Sequence, residues 1–89
     1  MAQTIKVDIP TAVVNARTWA NEMLAWKDCS MVQRLMAKQI LTEVREGLFE
    51  IDNYNALVAL RDQWRERQKP TATYVWMIEQ LENCLGLRQ

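Results

Sequence analysis

The sequence predicts an all-α protein, a small four-helix domain with a short extended N-terminal arm. Apolar residues recur at three- and four-residue steps in four successive segments, which is the spacing of one helix face. Breakers and capping residues separate those segments, at Pro10, Ser30, Gly47, Pro70 and Gly86. Only "TIKVDIP", residues 4–10, alternates with the period of a strand.

In that arm Ile5, Val7 and Ile9 share one side and Thr4, Lys6 and Asp8 the other. No second strand candidate follows, so its backbone groups must pair with another chain's copy, run along a helix, or fray. Pro10 and Thr11 open the first helix, about 11–27, with Ala12, Ala16, Trp19, Met23 and Trp26 inward. Val13, Ala20 and Leu24 widen its apolar arc to roughly 160°, more than one neighbouring helix would cover. That predicts a central helix or one buried in a dimer.

Ser30 with Gln33 reads as a capping box for the second helix, about 30–46, and Gly47 as its stop. Val32, Met36, Ile40, Val44 and Leu48 form its core stripe, while Arg34, Lys38 and Arg45 lie opposite, where Glu43 and Glu46 dilute their charge. Asp52 or Asn53 is the expected cap of a third helix, about 52–68, with Leu57, Leu60 and Trp64 inward and Tyr54, Val58, Arg61 and Arg65 on a neighbouring strip. Arg65, Arg67 and Lys69 fall near its end, where cations complement the helix dipole. Thr71 or Thr73 caps a fourth helix, about 71–86, whose stripe is Tyr74, Met77, Ile78, Leu81, Cys84 and Leu85.

Composition narrows the chemistry. The 89 residues are 49% hydrophobic and carry 11 acidic and 11 basic side chains, so no global field favours nucleic acid or anionic lipid. There is no histidine, and Gly47 and Gly86 are the only glycines, which removes the commonest general base and any glycine-rich phosphate loop. Carboxylate pairs such as Glu43 with Glu46, or Asp62 with Glu66, have the spacing of solvated faces and no nucleophile beside them. Cys29 and Cys84 are too far apart in sequence for a CxxC motif and read as reduced thiols. The longest apolar runs, "ALVAL" and "YVWMI", are too short for a leader or a membrane span. The expectation is a soluble, cytoplasmic, non-enzymatic protein without cofactor or metal.

Binding is then the predicted activity. Four tryptophans, the wide arc of the first helix, and Met31, Leu35 and Trp76 off their stripes offer more apolar surface than one small core absorbs. On a helical projection Trp76 points toward Glu79, Gln80 and Asn83, so it is packed under a neighbouring segment or presented to a partner. The expected function is an adaptor, inhibitor or assembly factor, with Trp76 and the exposed side of residues 31–38, including Arg34 and Lys38, as the contact surface. The partner is another protein of unknown identity, or a second copy of the chain.

Residues 4–46, with "TIKVDIP", "TAVV", a helix, a polar turn and "DCSMVQRL", resemble the ribbon-helix-helix family of DNA-binding repressors and antitoxins. The resemblance implies a dimer in which one strand from each chain enters the major groove of duplex DNA. It places Thr4, Lys6 and Asp8 against the bases and Ile5, Val7 and Ile9 in the core. Asp28 or Ser30 would start the helix whose N-terminal amides hold a backbone phosphate.

Overall fold

The computed structural model describes residues 8–46, 50–67 and 71–87. Four helices follow in order: α1 (Ile9–Ala25), α2 (Met31–Glu46), α3 (Glu50–Arg65) and α4 (Ala72–Leu85). Every pair of helices is in contact, and among the described residues there is no strand. The protein is all-α. Thr4, Lys6 and most of the expected arm lie outside the described residues.

α1 starts earlier than periodicity alone placed it. Asp8 is its N-cap, extended at φ −69° and ψ 158°, and its carboxylate accepts the Thr11 N–H at 2.7 Å. The Thr11 side chain and then its backbone N–H hold the Asp8 carboxyl below the usual carboxylate range. Pro10 sits in the first turn, where its missing N–H leaves no helical hydrogen bond unmade. Ile9 is therefore helical and half-buried, not the last inward residue of a strand. At the other end Trp26 is extended, and its N–H donates to the Met23 carbonyl at 3.2 Å, so the helix stops before Lys27.

The wide apolar arc of α1 has an ordered profile. Ala12, Ala16 and Ala20, in its middle, have no exposed surface. Bulkier Trp19 and Leu24, at the two edges, are half-buried. Interaxial distance depends on side-chain size at the contact, so the alanine strip lets neighbouring helices come close while the edges close over the seam. Trp26, placed inward by the spacing, is exposed because the helix has already ended.

The Ser30–Gln33 capping box forms as the sequence predicts. The Gln33 N–H donates to Ser30 Oγ at 3.2 Å, and the Ser30 N–H donates to Gln33 Oε1 at 2.9 Å. On α2, Met36, Ala37, Ile40 and Val44 are buried, with Val32 packed against them.

α3 already begins at Glu50, which corrects the expected cap. Asp52 and Asn53 are inside the helix, and Asn53 is buried one turn before Leu57. Its inward positions 53, 57, 60 and 64 continue one spacing, so the polar Asn53 belongs to the core stripe. Of the two threonines, Thr71 caps α4: its hydroxyl accepts the Tyr74 N–H at 3.2 Å. At the far end Gly86 takes φ 73°, with Gly86 N–H donating to Asn83 and Leu87 N–H to Glu82, at 3.3 and 2.9 Å. This is a Schellman stop, which favours glycine because its left-handed residue needs no Cβ.

Met36, Ile40, Leu57, Met77 and Leu81 fill the centre. Ile40→Asp is expected to abolish the cooperative thermal transition, because an unpaired carboxylate would replace a side chain with no exposed surface. Circular dichroism at neutral pH checks it. Ser30→Ala, which removes one half of the capping box, is expected to cost about 1 kcal/mol, a fall in Tm of roughly 4–8 °C for a chain of this size.

Candidate interaction surface

Three features stand beyond the packing of the apolar stripes: a charged bridge between α3 and α4, an aromatic contact between α1 and α4, and a cleft between α2 and the α3–α4 end. They differ in what they leave available to a partner.

Glu82 is the buried charge. Its side chain is only 9% exposed, and Arg65 Nη2 donates to both of its oxygens at 2.7 Å. Arg61 Nη1 approaches Glu82 Oε2 at 3.4 Å. The Arg61 Nε lies 2.9 Å from Asp62 Oδ1, an ion-pair separation at an angle that does not make a hydrogen bond. Two guanidiniums on α3 thus clamp one carboxylate on α4. Arg61, on the strip beside the inward face of α3, has a side chain only 15% exposed.

Sequence spacing carried a signal for this bridge. Glu82 lies four residues after Ile78 and three before Leu85, on the flank of a core stripe, and Arg61 and Arg65 stand one turn apart. Arg65 therefore spends its charge across the helix pair as well as in the last turn of its own helix.

Trp76 rests against Trp19, with ring centroids 6.1 Å apart and planes tilted by 56°. This is within the separation of favourable aromatic pairs. Trp76 remains 37% exposed, and Val75 beside it is also exposed. Off-stripe placement is thus reconciled with packing: the ring leans across to the edge of α1.

The cleft is lined by Leu35, Met36 and Gln39 of α2, Gln63 and Trp64 of α3, Arg67 beyond it, and Tyr74 of α4. Its volume is about 380 Å³, at the lower end of the range of ligand-seating pockets, about 300–1,000 Å³. The Trp64 Nε1–H donates to Gln39 Oε1 at 3.1 Å, tying α2 to α3. Arg67 lies over the Tyr74 ring, 4.8 Å from its centroid, and its Nη1 donates to the Tyr74 hydroxyl. Its position predicts that Arg67 complements the end of α3; its guanidinium meets an aromatic ring of α4 instead.

Met31 and Leu35 form a ridge beside this cleft, 76% and 56% exposed. They are one turn apart on α2, and Lys38 follows on the exposed side, while Arg34 is half-buried. Leu35 alone of these expected contact residues lines the cleft; Trp76 does not. The expected surface is therefore in two places, with Trp76 against Trp19 and the ridge beside the cleft.

A second opening, about 280 Å³, lies between α1 and α2 and is lined by Arg17, Asn21, Leu41, Val44 and Arg45. Burial pushes the Cys84 thiol above its ordinary range. Asp8, assigned to a DNA groove by the family resemblance, spends its carboxylate on the α1 cap. Among the described residues no cluster of three or more His, Cys, Asp or Glu could hold a metal. No helix among them is long and apolar enough to cross a membrane.

The class these features define is a four-helix, all-α protein with an apolar ridge beside a mixed cleft. No family model, curated protein or solved structure matches the chain.

Glu82→Ala is expected to cost about 1–3 kcal/mol, because it removes the carboxylate that both guanidiniums share and leaves the mostly buried Arg61 with Asp62 alone. Arg65→Ala, which leaves the mostly buried Glu82 carboxylate with only the longer Arg61 contact, should cost about 1–3 kcal/mol. Urea unfolding of the two variants measures both losses, and a change within about 0.5 kcal/mol for each, the range of an ordinary surface substitution, would mean that the bridge does not fix the α3–α4 pairing.

Proposed function

We propose that this protein is a small non-enzymatic interaction module, an adaptor, inhibitor or assembly factor, that binds another protein through the N-terminal half of α2 and the cleft beside it. One observation carries the reading: Leu35 is exposed and lines a cleft whose wall includes Met36 and Trp64, and Met31, one turn earlier on α2, is more exposed still. An apolar ridge beside a concavity is the arrangement in which a partner's side chain can be enclosed from two sides. Arg34 and Lys38 would add charge at its border. The Trp19–Trp76 contact supplies a further aromatic patch, but its rings already cover each other in part.

A photo-reactive residue in place of Leu35, introduced in the organism that makes the protein, tests the assignment. The expected result is a discrete adduct with one other protein, absent when the same group replaces the exposed Asn15 of α1. Equal labelling from both positions would overturn the choice of surface. A self-adduct would make the occupant a second copy, and an adduct with duplex DNA would favour the ribbon-helix-helix resemblance.

A further inference from the structure

Resting on that reading, we propose that the occupant of the cleft is an acidic segment of the partner protein, in which a bulky apolar residue is flanked by carboxylates. The ridge segment of α2 and the described lining of the cleft carry basic side chains and no carboxylate. From Met31 to Thr42 the sequence "MVQRLMAKQILT" contains Arg34 and Lys38 and no carboxylate. Among the described residues lining the cleft, Arg67 is the single charged one. Glu43 lies one turn beyond Gln39 on α2, and Glu66 precedes Arg67 in sequence; neither lines the cleft.

The state of Arg67 strengthens the case. Among the described residues it has no carboxylate partner, in contrast to Arg61 and Arg65, which share Glu82. Its contacts are the ring and hydroxyl of Tyr74. An arginine held on an aromatic face keeps donors free in its planar fork, and a carboxylate accepts two of them side by side. Leu35 and Met36 lie across the same cleft, so the guanidinium and an apolar surface face one occupant. A ligand with only carboxylates would leave the aliphatic wall unused, and one with only apolar groups would desolvate Arg67 without a partner. The two together describe an acidic, amphipathic segment, recognised by its apolar anchor and steered by Arg34, Lys38 and Arg67.

The test is selection of binders from a random displayed peptide library on the full chain, followed by fluorescence anisotropy of the enriched peptides. The expected peptides carry Asp or Glu next to Leu, Phe or Trp. Their affinity should fall about tenfold with Arg67→Gln, a charge-assisted hydrogen bond being lost, and further as salt is raised. Lys38→Gln should cost less, and Tyr74→Phe, which leaves the guanidinium and ring in place, should retain binding. Circular dichroism of each variant establishes that it is folded, as expected for substitutions at these exposed or half-buried positions.

The possible failures separate cleanly. Peptides that are lost with Leu35→Asp but carry no acidic residues, or ignore Arg67→Gln, overturn the acidic occupant and leave the interaction surface standing. Peptides indifferent to Leu35→Asp overturn the surface itself, and a library that yields no binder overturns both. Displacement of the peptides by duplex DNA at comparable affinity would show a general polyanion site and also overturn the proposal.

Discussion

The alanine strip of α1 is the constraint on which the other contacts depend. Ala12, Ala16 and Ala20 have no exposed surface, and α1 touches all three other helices. A methyl side chain adds little volume to a helix–helix contact, so the bulk needed to fill the centre must come from the partners. It comes from Met36 and Ile40 on α2, Leu57 on α3, and Met77 and Leu81 on α4, which are the largest fully buried side chains. α1 is thus the thin central element and the other helices are the thick ones. Replacing an alanine of this strip with a larger residue would press on packed neighbours, whereas the edges of the strip tolerate Trp19 and Leu24 because they open toward solvent.

From that geometry follows the different character of the two sides of α4. One side meets α1 through Trp76 on Trp19, a contact between rings that leaves Trp76 partly in water. The other meets α3 through Glu82 and two arginines, with little water at the carboxylate. A buried carboxylate is tolerable there because it accepts hydrogen bonds from both guanidiniums. The ion bridge does not so much add stability as fix which faces of α3 and α4 meet, since any rotation would leave Glu82 buried without donors.

Much of this architecture was legible in residue spacing. The buried positions of α3 and α4 fall on the expected stripes at Leu57, Leu60, Trp64, Met77, Ile78, Leu81 and Leu85, and the caps Ser30, Thr71 and Gly86 act as their side chains dictate. What spacing misjudged were residues whose chemistry and position disagree. Asp8 was assigned to a strand because it alternates with Ile9, yet an aspartate three residues before an available amide is equally a cap, and the cap is what forms. Asn53 and Glu82 are polar residues at core-facing positions, and polarity hid them although their spacing did not. The cleft was less legible still, because Leu35, Gln63, Arg67 and Tyr74 come from separate segments and meet only through tertiary packing.

The division between structural and available side chains bears on how such a small chain can carry a binding surface. Ala37 and Ile40, which α2 gives to the core, have no exposed surface, while Met31 and Leu35 on its outer side are largely exposed. Those two functions use opposite faces of one helix, so the outer face can vary without opening the interior. Arg67 has comparable freedom: it lies two residues beyond the end of α3, contributes no buried apolar side chain, and is held by the ring and hydroxyl of Tyr74 alone among the described side chains. Tyr74 and Trp64 join the two regimes. Trp64 is buried and lines the cleft floor, fixed to Gln39, so the apolar wall that a ligand would meet is also part of the core and is held in place by it. A preorganised wall of this kind lowers the ordering cost of association, which matters most for a surface with few residues to contribute.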